Sequence, residues 1–140
     1  MTKEEDLSKY MALIEHYKEQ MGSLDMQLQY IQGAINEYAR AKLTLEQMDN
    51  SKKDSDLLLP IGGGTYVYSK ANETSKVLFD VGGGYITEKK TKEAIKNIEK
   101  RIKELEGSKE KVTTIIQQMQ SEATDVSFKA QKIINEQQGK

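Results

Sequence analysis

The strongest constraint on this chain is a 3.5-residue apolar repeat held through both flanks. With heptad position a at Leu7, Ile14, Met21, Leu28, Ile35 and Lys42, position d falls on Tyr10, Tyr17, Leu24, Ile31, Tyr38 and Leu45. In the second flank, a is Ile95, Ile102, Lys109, Ile116, Ala123 and Ala130, and d is Ile98, Leu105, Val112, Met119, Val126 and Ile133. One lysine interrupts each set. A single amphipathic helix on a globular core does not hold a strict heptad over six repeats, so the pattern predicts coiled-coil helices. Each flank, 1–50 and 91–140, would form a rod about 70 Å long at 1.5 Å per residue. Thr91 is the expected N-cap of the second, with Glu93 in its first turn.

Two helices of matched length can fold back on each other. In an antiparallel pair a faces d, so facing residue numbers add to a constant. A constant of 140 aligns every layer: Leu7 with Ile133, Ile14 with Val126, Met21 with Met119, Leu28 with Val112. It also sets Tyr10 against Ala130 and Tyr17 against Ala123, large side chains against small ones, as layered packing prefers. A slip of one heptad would leave Tyr10 facing Gln137 and lose that match.

Between the flanks, residues 51–90 change character. Six of the ten glycines form the triplets Gly62–Gly64 and Gly82–Gly84, and the single proline, Pro60, lies beside the first. The stretch Leu58-Leu59-Pro60-Ile61-Gly62-Gly63-Gly64-Thr65-Tyr66 aligns with Leu78-Phe79-Asp80-Val81-Gly82-Gly83-Gly84-Tyr85-Ile86 at an offset of 20. Each copy reads as apolar strand, glycine turn, second strand, which predicts two β-hairpins. Alternation puts Leu57, Leu59 and Ile61 on one face, with Val77, Phe79 and Val81 on the equivalent face. The fold class expected is therefore α+β, predominantly α: a long antiparallel two-helix coiled coil with two β-hairpins inserted at one end.

Such a chain should not act alone. Two-stranded hairpins are marginal in water and expose their edges. The remedy is completion by the same insert from other subunits, so Leu57, Leu59, Ile61, Val67, Val77, Phe79, Val81 and Ile86 form the candidate oligomer interface. The seam also leaves apolar residues unused. Met11, Leu13, Phe128 and Ile134 fall off it near the free helix ends, and Met and aromatic side chains suit a surface that accepts many shapes.

Two heptad flanks around a doubled apolar-Gly-Gly-Gly-apolar hairpin resemble the α-class subunits of prefoldin, archaeal in type. The most telling residues are Leu57-Leu58-Leu59-Pro60-Ile61-Gly62-Gly63-Gly64-Thr65-Tyr66-Val67 and Val77-Leu78-Phe79-Asp80-Val81-Gly82-Gly83-Gly84-Tyr85-Ile86. The resemblance implies an ATP-independent holdase, built as a hexamer of two α and four prefoldin beta-class subunits. It implies a base made of hairpins, unfolded client proteins held between the distal coiled-coil tips, and delivery to a group II chaperonin. By position along the stalk, it implies client contacts at Leu7, Tyr10, Met11, Leu13, Phe128, Ile133 and Ile134. Some α-like members assemble with themselves into filaments, and a self-assembling structural protein is the alternative reading.

The remaining composition points away from other chemistry. Residues are 36% hydrophobic and 31% charged, with 21 Lys and Arg against 22 Asp and Glu. That near-neutral balance argues against a dedicated nucleic-acid or anionic-membrane binder. There is no cysteine and one histidine, His16, at a solvent-facing heptad position. Thiolate metal sites and His-based relays therefore have almost nothing to work with. The glycine triplets run into Thr65-Tyr66-Val67, a strand pattern, not the Lys-Ser/Thr and helix of a phosphate loop. Glu4-Glu5-Asp6 suits the N-terminus of a helix. The lysines from Lys89 to Lys103 interleave with Glu88, Glu93 and Glu99, a solvated face in which Glu99–Lys103 would be a helix-stabilising pair. The reading is of a non-enzyme with no catalytic residue, metal or cofactor. The acidic start lacks an apolar leader, and no run reaches membrane-span length, which together predict a cytoplasmic protein.

Overall fold

The computed structural model describes residues 2–139; Met1 and Lys140, the outermost residues of the two expected flanks, lie outside it. Helix α1 covers Lys3–Asp49 and helix α2 covers Thr91–Gly139, with strands β1 (Asp56–Gly62), β2 (Thr65–Lys70), β3 (Lys76–Gly82) and β4 (Tyr85–Lys90) between them. The strands make two separate antiparallel hairpins, β1–β2 and β3–β4. The chain falls into two compact units. One is built on α1 up to Gly33 and α2 from Leu105; the other is Ala34–Glu104 and holds both hairpins.

In the first unit the helices run antiparallel. Lys3 Nζ meets Glu136 Oε2 at 2.9 Å, and Lys109 Nζ donates to Gln32 Oε1 at 2.8 Å. The Tyr17 phenol donates to Glu122. In the second unit Lys42 Nζ lies 3.7 Å from Glu99 Oε1. All four pairs stand within one residue of the 140 register. Burial agrees. Of the seam positions in both flanks, only Lys109 is exposed; Val112, Val126 and Ala130 in the first unit, with Ile35 and Ile98 in the second, are buried.

The two seam lysines show how a charge is tolerated there. The aliphatic stem of Lys42 packs while its head reaches Glu99, and Lys109 turns out to Gln32. Glu99 therefore pairs across the helices with Lys42, where sequence spacing suggested Lys103. The neighbouring same-helix contact is Arg101–Glu104, at 3.6 Å.

The internal repeat extends through the hairpin ladders. Asp56 pairs with Lys70 and Lys76 with Lys90, and each hairpin is tied at its open end in the same way. The Ala71 amide donates to the Ser55 carbonyl and the Thr91 amide to the Ser75 carbonyl, both at 2.9 Å. Thr91 opens α2 as expected, but its hydroxyl donates to the Thr74 carbonyl at 2.8 Å. It is fully buried and fastens the second hairpin to the helix start. At both tips the two central glycines have positive φ (59° and 71°; 63° and 82°), the pair that a type I′ turn requires. The preceding glycine, Gly62 or Gly82, also has positive φ where the ladder skips one residue.

Glycine substitutions should have opposite signs at two places. Gly64→Val forces a β-branched residue into a left-handed conformation and should lower stability by about 1–3 kcal/mol. Gly107→Ala, in a helix interior with open space at the Cβ, should raise it by roughly 1 kcal/mol. Thermal unfolding followed by circular dichroism reads both.

The Lys3 ammonium, by hydrogen bond and then by charge, holds the Glu136 carboxyl below its ordinary value. A depressed carboxyl favours the paired ends above its ordinary titration range and loses that contribution as pH falls through its lowered value. In an NMR titration the Glu136 midpoint should lie below the ordinary glutamate value and return to it in Lys3→Met.

Candidate functional site

Two surfaces carry apolar groups that the helix seam does not use. The first lies in the unit formed by the outer halves of the helices. Because Leu7, Tyr10 and Ile133 occupy seam positions, they are half-buried, and Ile134 beside them is half-buried too. Met11 (53% exposed), Leu13 and Phe128 (71% exposed) sit off the seam and face solvent. The seven residues expected to contact clients thus divide by burial, and Ile134 is half-buried although it lies off the seam. Four are engaged in holding the helix ends together, and three are free to touch something else.

A groove of about 390 Å³ runs beside Phe128, with Ile14, Met21 and Ala123 in its lining. The small Ala123 leaves room on α2, and the polar rim is supplied by Lys18, Gln120 and Gln131. Tyr17 lies next to this region. Glu122 raises the Tyr17 phenol above its ordinary pKa by accepting its proton in a hydrogen bond, so the phenol stays a neutral donor.

The second surface is the pair of hairpins. Leu59, Ile61, Val67, Val81 and Ile86 are exposed, while Leu57, Val77 and Phe79 are half-buried. The ladder fixes which of them share a face. Leu59 stands opposite Val67, but Ile86 stands opposite Asp80, on the face of Leu78 and away from Phe79. Val77 and Phe79 are partly covered by the chain's own helices: they line a groove of about 470 Å³ with Tyr38, Leu45 and Ile98. Lys89 extends over the Phe79 ring, its Nζ 5.3 Å from the centroid, which shields the ring with a cation–π contact.

Leu58, Tyr66 and Tyr68 lie outside the expected interface set, yet they make the opposite face of hairpin β1–β2 apolar as well. Tyr68 is 94% exposed. The signal for this was present in the run Leu57-Leu58-Leu59, where neither phase of the strand alternation is polar. The equivalent face of hairpin β3–β4 carries Asp80 and Glu88 in place of Pro60 and Tyr68. The Asp80 carboxylate accepts from the Gly82 amide at 2.8 Å and is thereby tied to the turn.

Neither surface assembles acid–base, nucleophilic or ligating side chains. Among the described residues, no group of three His, Cys, Asp or Glu is placed to hold a metal ion, and no helix is long and apolar enough to cross a membrane. What both surfaces present is exposed hydrocarbon and, on the hairpins, unpaired strand edges.

A family model described as Prefoldin subunit matches residues 17–136. Prefoldin subunit alpha of Archaeoglobus fulgidus is 30% identical over 123 residues, which is 88% of this chain and 90% of the relative. Prefoldin subunit alpha of Methanococcus maripaludis is 34% identical over 113 residues, 81% of this chain and 76% of the relative. A solved structure described as a cryo-EM structure of filamentous PFD from Methanocaldococcus jannaschii matches with a TM-score of 0.54. It is 24% identical and covers 90% of this chain and 98% of that one, a likeness of fold. With a family model spanning both heptad helices and the doubled glycine-turn hairpin between them, the chain belongs to the prefoldin subunit family, on its archaeal alpha-class side.

Proposed function

We propose that this prefoldin-family chaperone subunit is an ATP-independent holdase component acting in the cytoplasm. Non-native proteins are captured at the free ends of its coiled coil and handed to a group II chaperonin. Residues 1–50 and 91–140 serve as the arm, and residues 51–90 serve as the assembly base. The relatives' names describe alpha subunits, which supports a complex with other prefoldin subunits. The arrangement we favour is two such chains with four beta-class partners.

The observation that carries the reading is the exposure of Met11, Leu13 and Phe128 off an otherwise consistent seam. An exposed methionine, and an exposed phenylalanine beside a groove, offer deformable apolar contact without a fixed shape. Each contact is weak. Several arms engaging one client raise the effective concentration and convert weak contacts into useful retention. The half-buried Leu7, Tyr10, Ile133 and Ile134 support this surface by holding the helix ends in place, and they join it when the ends loosen around a client.

The test separates capture from assembly. Met11→Ser with Phe128→Ser removes exposed apolar surface and leaves the seam intact. The double variant should reach the same oligomeric mass with beta-class partner chains, and should suppress aggregation of a chemically denatured client several-fold less than the parent. Unchanged suppression would overturn the assignment of clients to this surface. An open-ended homopolymer formed in the presence of beta-class chains would favour the self-assembling alternative.

A further inference from the structure

Charge is spread unevenly along the helices. Across residues 20–36 the only charged side chain is Asp25, and across residues 112–121 there is none. At the chain's 31% these two stretches would carry about eight charges, and they carry one. The 140 register sets residues 20–28 of α1 against residues 112–120 of α2, so within the outer unit the two stretches stand at the same height and make a belt. Glu19 and Glu122 bound it toward the free ends; Lys109, Glu110 and Lys111 bound it at the other limit.

The belt has two unlike sides. In an antiparallel pair the g rows of both helices flank the seam on one side, and the e rows flank it on the other. Asp25 is an e residue, and so is Gln32, which holds the Lys109 head. The g side carries hydrocarbon instead. Met26 (66% exposed) and Tyr30 (83% exposed) are i,i+4 neighbours at positions f and c of α1, and Ile115 (41% exposed) is a g residue of α2. Around them Gln20, Ser23, Gln27, Thr114, Gln118 and Ser121 are all exposed and uncharged. Leu13, one of the three exposed end residues, heads the same g row, with Gln20 and Gln27 next along it.

This mixture narrows the kind of partner. A partner with a fixed charged face would be met by complementary charge, and the g side of the belt offers neither sign. Neutral amides and hydroxyls both donate and accept, so they can satisfy the peptide N–H and C=O groups of an extended chain whatever its sequence. Spaced Met, Tyr and Ile side chains give apolar contact between them, the methionine deformably. The segments of non-native proteins that aggregate are themselves extended, apolar and low in charge. We propose that the g side of this belt is a second client-contact site, taking extended, low-charge apolar segments of non-native polypeptides. The proposal rests on the reading of the arm as the client-holding element and adds a site inward of the end residues. Leu13 to Tyr30 spans about 25 Å of helix. About eight residues of extended chain cover that length, so one client reaches both sites.

The absence of cysteine lets one reactive position be introduced at a time. Chains carrying Tyr30→Cys or Gln29→Cys are assembled with beta-class partner chains, labelled with a benzophenone maleimide and irradiated with reduced, carbamidomethylated lactalbumin. The aromatic label stands in for the lost phenol. Gln29 is equally solvent-facing but sits at b, on the e side. Cross-linking from position 30 should exceed that from position 29 several-fold. A second measurement uses Met26→Gln, Tyr30→Gln and Ile115→Gln together, which keeps helix-favouring residues and touches no seam position. This variant should keep the parent's melting temperature and oligomeric mass, and should hold the same client roughly tenfold less tightly. The inference is overturned if positions 29 and 30 cross-link equally, or if the triple variant holds the client as tightly as the parent. A label on a Phe128→Cys chain separates this failure from a failure of the broader reading. Cross-linking there but not at position 30 removes the belt alone; cross-linking at neither removes client capture by this arm.

Discussion

Burial along the a/d seam is the interaction on which the rest of this structure depends. Helices of 47 and 49 residues with 31% charge in the chain have little other reason to persist. Removing a Leu, Ile or Val side chain from water contributes on the order of 1–3 kcal/mol when burial is complete, and less where it is partial. Here most seam residues are half-buried, so stability is spread thinly over many layers. Val112, Val126 and Ala130 in one unit, and Ile35 and Ile98 in the other, are the layers closed most completely. A thinly spread seam leaves the helix surface polar apart from exposed apolar side chains such as Met11 and Phe128.

The same geometry accounts for which end residues are exposed. Phe128 and Met11 can be exposed because heptad geometry turns them away from the partner helix, while Leu7 and Ile133 close to them in sequence are turned inward. Nothing in the seam requires Phe128 to be aromatic. The hairpins follow a different logic. Their glycine turns and backbone ties set the ladder, but a two-stranded sheet has no second layer of its own, and most of its apolar side chains stay in solvent. Hairpin β3–β4 finds partial cover beside Tyr38, Leu45 and Ile98, and the Lys89 cation over Phe79 adds to it. Hairpin β1–β2 carries exposed apolar side chains on both faces.

Side-chain chemistry also explains where local reading of the chain fell short. Glu99 has a lysine four residues ahead on its own helix, yet it pairs with Lys42, because a lysine forced into a seam position must send its head to the facing helix. The Thr91 hydroxyl serves the link between hairpin and helix, since the carbonyl of Thr74 is brought to it by the closing of the second ladder. Ile86 is on the face opposite Phe79, because skipping one residue at Val81 resets the pairing before Tyr85. The first two of these outcomes depend on a partner distant in sequence, which no local pattern specifies.

Heptad spacing, the 20-residue repeat and the glycine triplets were enough to determine the helices, their antiparallel register and the two hairpins. Each is a periodic or short-range property: a residue's place in the repeat decides which side it faces, and a positive φ decides which residue can turn. The division of the end residues into seam and solvent was likewise readable from heptad letters, except at Ile134, which is half-buried although its letter puts it off the seam. Three-dimensional assembly of the chain settled the rest: which hairpin is sheltered by the helices, which strand edges stay free, and where the seam lysines send their charge. Those depend on the distances between separate elements, and such distances exist only once the chain has folded back on itself.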